Sequence, residues 1–93
     1  MKRVRANILV KGIVQGVGFR YFVLLSARRL SITEGYVRNL PTGDVEVVAE
    51  GERSLVNEFI KQLRIGPRSA WVKDVVVSFS EPTGEFDSFE VRF

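Results

Sequence analysis

Apolar residues recur at every second position over residues 4–10, at Val4, Ala6, Ile8 and Val10, which is the alternation of a half-buried strand. The period then changes. From Phe19 onward Phe22, Val23, Ala27 and Leu30 follow at helical spacing, so one face of a helix reaching about residue 30 is apolar. Residues 36–40 are rich in strand formers, and Pro41-Thr42-Gly43-Asp44 predicts a tight turn into a second arm over residues 45–50, ended by Gly51. Ser54 is the expected N-cap of a second helix with a stripe of Leu55, Val56, Phe59, Ile60 and Leu63, and Gly66-Pro67 stops it. Residues 70–79 predict a further strand. Its two-sided apolarity, with Val75 and Val77 on one parity and Val72 and Val76 on the other, predicts a central or well-covered place. Residues 81–85 read as a loop, and Phe89, Val91 and Phe93 as a short last strand.

The order of elements is that of an α+β, ferredoxin-like two-layer sandwich, βαββαβ plus a short C-terminal strand, with two helices on one face of an antiparallel sheet. The first and second strands then end at the same edge. Asn39 is carried toward the connection between the first strand and the first helix.

That connection, residues 12–20, reads Gly-Ile-Val-Gln-Gly-Val-Gly-Phe-Arg. A glycine-rich turn opening a helix leaves backbone N–H groups unpaired and pointing one way, a cradle for phosphate or carboxylate. Arg20 in the first helical turn faces the positive dipole end, a cost of roughly 0.3–1 kcal/mol that a bound dianion would offset. An ordinary strand-to-helix connection with a solvated Arg explains the stretch equally well, and Asn39 taken alone reads first as support for the Leu40-Pro41 bend. Two phosphate loops are excluded. Tyr21 stands where the dinucleotide fingerprint needs its third Gly, and no Gly-Lys-Ser/Thr follows.

Composition narrows the chemistry. With 93 residues, 45% apolar and 27% charged, the chain is expected to be one domain spanning residues 1–93. It has neither His nor Cys, which removes the commonest general base, the commonest metal ligand and all thiolate chemistry. A net charge of +3, with 14 basic residues scattered among 11 acidic ones, favours small anions over a nucleic-acid backbone. No apolar run approaches a membrane span or a signal-peptide core, so the expectation is a cytoplasmic protein without membrane or nucleic-acid partners.

Gly12, Val14-Gln15-Gly16-Val17 and Phe19-Arg20, with Gly35 through Pro41 and Gly43 through Gly51, resemble the acylphosphatase family over nearly the whole chain. The resemblance implies hydrolysis of acyl phosphates to a carboxylate and inorganic phosphate, using no metal or cofactor; a monomer is the separate expectation for a single small domain. It makes Arg20 the phosphate-binding residue and Asn39 the residue that positions the attacking water. The backbone of Gln15, Gly16, Val17, Gly18, Phe19 and Arg20 becomes the phosphate cradle. One departure stands out: the family commonly has Gly after Leu30 and one residue fewer before Gly35. Here Ser31 is expected to pay on the order of 1 kcal/mol if it turns left-handed, and the extra residue to form a bulge or looser turn.

The residue set suits this reaction. The departing carboxylate comes from an acid of pKa near ~4 and needs no enzyme acid. What remains is positioning and charge neutralisation, for which a guanidinium offers planar, bidentate donors. Asn39 can orient water but cannot take its proton near neutral pH, which leaves a substrate phosphate oxygen as acceptor, in line with the family. Two readings of other classes share the fold: a non-catalytic anion- or RNA-binding module, and a part of a larger carbamoyl-transfer enzyme. Base stacking is disfavoured because residues 4–10 and 45–50 contain no aromatic.

Overall fold

The structure, a computed structural model, describes residues 2–93. The elements in chain order are β1 (Arg3–Ile13), α1 (Phe19–Arg29), β2 (Glu34–Asn39), β3 (Val45–Glu52), α2 (Arg53–Ile65), β4 (Trp71–Ser80) and β5 (Phe89–Arg92). They form one sheet in the order β4-β1-β3-β2-β5. The first four strands are antiparallel neighbours, as a ferredoxin-like sandwich requires. β5 adds to β2 in parallel, because the chain leaves β4 at one edge and must cross the sheet to reach the other.

The alternation in β1 sets the core. Val4, Ala6, Ile8 and Val10 pair with Gly51, Ala49, Val47 and Val45, and together they turn one face toward the helices. Phe19, Val23 and Ala27 of α1 and Val56, Phe59, Ile60 and Leu63 of α2 fill the other layer. Fully burying a side chain such as Phe59 or Leu63 is worth roughly 1.5–3 kcal/mol. Truncating Phe59 to Ala would cost more, about 3–5 kcal/mol, since the cavity adds to the lost transfer energy.

Several elements differ from the sequence reading. β4 lies at the sheet edge instead of a central place, with Trp71 58% and Val76 48% exposed. Edge or centre is decided by pairing and not by the apolar pattern; within β4 Lys73 is an extra residue, Lys11 pairing with Asp74 and Gly12 with Val72, and this bulge resets the parity of Val72 relative to Val75. β3 runs past Gly51 to Glu52 and enters α2 with no loop between. Glu52, in extended conformation, stands at the N-cap, and Ser54 lies inside the helix, where its hydroxyl donates to the Glu52 carboxylate at 2.8 Å. Leu55 falls off the buried stripe of α2 and is exposed.

Ser31 is left-handed, with φ 56°, the one non-glycine at positive φ among the described residues. It closes α1 in a Schellman motif: Ser31 N–H donates to Arg28 O at 3.1 Å and Ile32 N–H to Ala27 O at 2.8 Å. The extra residue forms no bulge. Ile32 turns into the core, and β2 begins at Glu34 in unbroken register with β3.

Candidate active site

Between β1 and α1 the chain turns through residues 15–18, with Gly16 at φ 74° and Gly18 at φ 77°. A Cβ at either position would meet no atom within 4 Å, so conformation and not space selects glycine there. Gly18 is the N-cap of α1, and no side chain caps the helix. Its first turn also carries no acidic residue. The first N–H groups of the helix thus have no anionic side chain to meet them, and Arg20 adds a positive charge beside them. The loop is held from two sides. Val14 is buried in the core, and the Ser69 hydroxyl, beyond α2, donates to Val17 O at 2.7 Å.

A cleft of about 260 Å³ opens here. Gly16, Gly18, Phe19 and Arg20 line it from the loop and helix, Asn39 from the end of β2, and Val91 and Phe93 from the C-terminal segment. Expectation and geometry agree in bringing Arg20 and Asn39 together. Asn39 Oδ1 is buried and has no hydrogen-bond partner among the described residues. A buried carbonyl oxygen left unpaired costs about 1–3 kcal/mol.

Gln15 and Val17, the other members of the expected cradle, do not line the cleft. Val17 packs against the core. Gln15 sends its carboxamide to the turn after β2, where Nε2 donates to Leu40 O at 2.7 Å and to Asp44 O at 2.8 Å. Sequence reasoning missed Val91, Phe93 and Ser69 as parts of the site. The alternation at residues 89–93 predicts a strand, but only its parallel pairing with β2, Val91 opposite Val37, carries it to the cleft.

The face of the sheet away from the helices is polar and partly strapped. Phe86, from the segment joining β4 to β5, is buried there 5.9 Å from the Tyr36 ring, with Arg5 and Arg92 over its own ring. Burial and a 2.9 Å hydrogen bond to the Glu46 carboxylate push the Tyr36 hydroxyl above its ordinary range. The strands β1 and β3 present Arg5, Asn7 and Leu9 opposite Glu50, Val48 and Glu46, with no aromatic on which a base could stack. Among the described residues no three His, Cys, Asp or Glu side chains converge as a metal site requires, and no helix is long and apolar enough to cross a membrane.

Over residues 6–91 the chain matches the family model described as Acylphosphatase. It belongs to the acylphosphatase family. The acylphosphatase of Moorella thermoacetica is 52% identical over 92 residues, which cover 99% of this chain and 97% of that one. Among solved structures, the acylphosphatase from Bacillus subtilis superposes with a TM-score of 0.91 at 33% identity, covering 97% of this chain and 99% of that one. A second match lies inside a larger protein, full-length HypF in its phosphate- and nucleotide-bound form, with a TM-score of 0.89 at 29% identity, covering 99% of this chain and 12% of that one.

Proposed function

We propose that this protein hydrolyses the carboxyl–phosphate bond of acyl phosphates, with Arg20 and the glycine-loop N–H groups holding the phosphoryl group and Asn39 holding the attacking water. The observation that carries the reading is the convergence of Arg20 and Asn39, from separate elements, on one cleft beside an uncapped helix start. A cation and backbone N–H groups suit the phosphoryl oxygens, and the Asn39 side chain, which lines the same cleft from the end of β2, suits a water.

The roles follow from the chemistry. Water attacks phosphorus, the bond from phosphorus to the acyl oxygen breaks, and the carboxylate leaves with the bonding pair. Its low basicity makes proton donation unnecessary. The proton of the attacking water passes to a phosphate oxygen, because the Asn39 amide is no base near neutral pH and the chain has no His. Arg20 can meet two phosphoryl oxygens through its forked N–H donors, while the N–H groups at the start of α1 face the developing charge without having to reorganise. In this scheme the enzyme positions and neutralises, and the substrate supplies the base.

The test is release of inorganic phosphate from acetyl or benzoyl phosphate in the presence of a strong chelator. Turnover that persists in chelator supports the reading. Phosphate release indistinguishable from the uncatalysed rate overturns the hydrolase assignment, and activity restored only by added Mg²⁺ overturns the metal-free scheme.

A further inference from the structure

We propose that Gln15 is a positioning residue for this reaction: its carboxamide locks the glycine loop to the turn after β2 and so sets where Asn39 stands relative to Arg20. The proposal rests on the acyl phosphate reading given above. A primary amide nitrogen has two hydrogens, and Gln15 Nε2 commits one to Leu40 O at 2.7 Å and one to Asp44 O at 2.8 Å. Both carbonyls border Asn39. Leu40 follows it in the chain, and Asp44 precedes Val45, its partner across the hairpin.

The turn closes without Gln15. Leu40 N–H donates to Asp44 O at 2.9 Å, Gly43 N–H to Leu40 O at 3.1 Å, and the Thr42 hydroxyl to the Asp44 carboxylate at 3.1 Å. What Gln15 adds is a tie from this turn to the loop that bears Gly16, Gly18 and Arg20. Asn39 needs such a tie, since its own Oδ1 bonds to nothing among the described residues and its amide takes its position from the backbone. Displacing a reacting group by about 1 Å can cost on the order of 100-fold in rate, so a flexible hairpin end would be felt in the chemical step.

Two variants test this. Gln15→Met keeps the length of the side chain and removes both donors. Gln15→Glu removes them while ionised and regains one when protonated. The Met variant should lose roughly 10- to 100-fold in kcat while KM and inhibition by inorganic phosphate stay within about twofold, because Arg20 and the N–H groups remain. In an Asn39→Ala background the same change should cost almost nothing more, since the group it positions is gone. The Glu variant should recover activity relative to the unchanged protein as pH falls from 7 toward 5. If Gln15→Met does not fold, the Glu variant at low pH supplies the comparison. A second readout needs no turnover: the Asn39 side-chain amide resonances in ¹⁵N-labelled protein should shift in Gln15→Met.

Unchanged kcat with a lowered melting temperature, multiplicative loss in the double mutant, or unmoved Asn39 resonances would each overturn the positioning role. If the unchanged protein releases no phosphate, the hydrolase reading fails, and the resonances alone decide whether Gln15 holds Asn39.

Discussion

The Arg20 guanidinium lies over the Phe93 ring, its carbon 5.0 Å from the ring centre. An aromatic ring engages the flat face of a guanidinium and leaves the N–H groups along its edge free, so this contact does not consume the donors a phosphate needs. Both features are lost differently in two variants. Arg20→Ala should remove most turnover and weaken competitive inhibition by phosphate together. Arg20→Lys keeps a charge and loses the planar fork, and should lower kcat/KM by at least roughly tenfold. Near-unchanged kcat/KM in the Lys variant would reduce Arg20 to a general positive charge.

The role proposed for Asn39, holding water and not phosphate, has a different signature. Asn39→Ala should change phosphate inhibition by less than about threefold while kcat and kcat/KM fall in parallel by on the order of 10²–10³. The competing possibility, that Asn39 only braces the bend at Pro41, predicts a lower melting temperature with normal turnover. Thermal melting beside the kinetic assay separates the two.

How far the sequence revealed the molecule depends on whether the signal was local. The helix faces at Phe19, Val23 and Ala27 and at Phe59, Ile60 and Leu63 were legible because period 3.6 is a local property, and the turn at Pro41 to Asp44 because its chemistry is local. β4 was misplaced to the interior because edge or centre is decided by pairing, and its parity by a bulge at Lys73 that no alternation can show. In the site, Arg20 and Asn39 stand in motifs. The Gln15 side chain, Ser69, Val91 and Phe93 reach their places through long-range contacts, and nothing in their neighbouring residues records those.

Ser31 offers a test of stored strain away from the cleft. A left-handed non-glycine costs roughly 1–2 kcal/mol, and replacement by Gly gives back part of that as added freedom of the unfolded chain, about 0.4–1 kcal/mol. The strain is the larger quantity. Ser31→Gly should therefore stabilise the protein by about 0.5–1 kcal/mol and raise Tm by roughly 2–6 °C, with kcat unchanged because Ser31 does not line the cleft. A lower Tm would mean that the Schellman closure holds Ser31 without strain.

Glu50 joins stability to the strap across the open face. Its side chain is fully buried, and its carboxylate accepts hydrogen bonds from Thr83 N–H at 2.9 Å, the Thr83 hydroxyl at 3.0 Å, Gly84 N–H at 3.0 Å and Arg5 at 3.1 Å. Burial pushes the carboxyl up, but the Thr83 and Gly84 N–H groups, the Thr83 hydroxyl and Arg5 outweigh it and hold the group below its ordinary range. A carboxyl with a lowered folded-state pKa contributes stability above its unfolded value, near ~4.3, and that contribution disappears as pH falls through the folded value. Glu50→Gln places an NH₂ among these donors and removes the charge that Arg5 faces, so it should destabilise by roughly 3 kcal/mol at pH 7. Arg5 keeps Glu85 at 2.8 Å, which limits the loss. Urea unfolding of both proteins from pH 7 to pH 3 should show the difference between them begin to shrink near the unfolded value of ~4.3, where the unfolded chain takes up its proton first, and go on shrinking as pH falls toward the lower folded-state value. The strap leads directly into β5, whose Val91 lines the cleft, so Glu50→Gln should also raise KM more than it lowers kcat. A stability difference that stays constant across this range would show that Glu50 acts through its shape and hydrogen bonds and not through its charge.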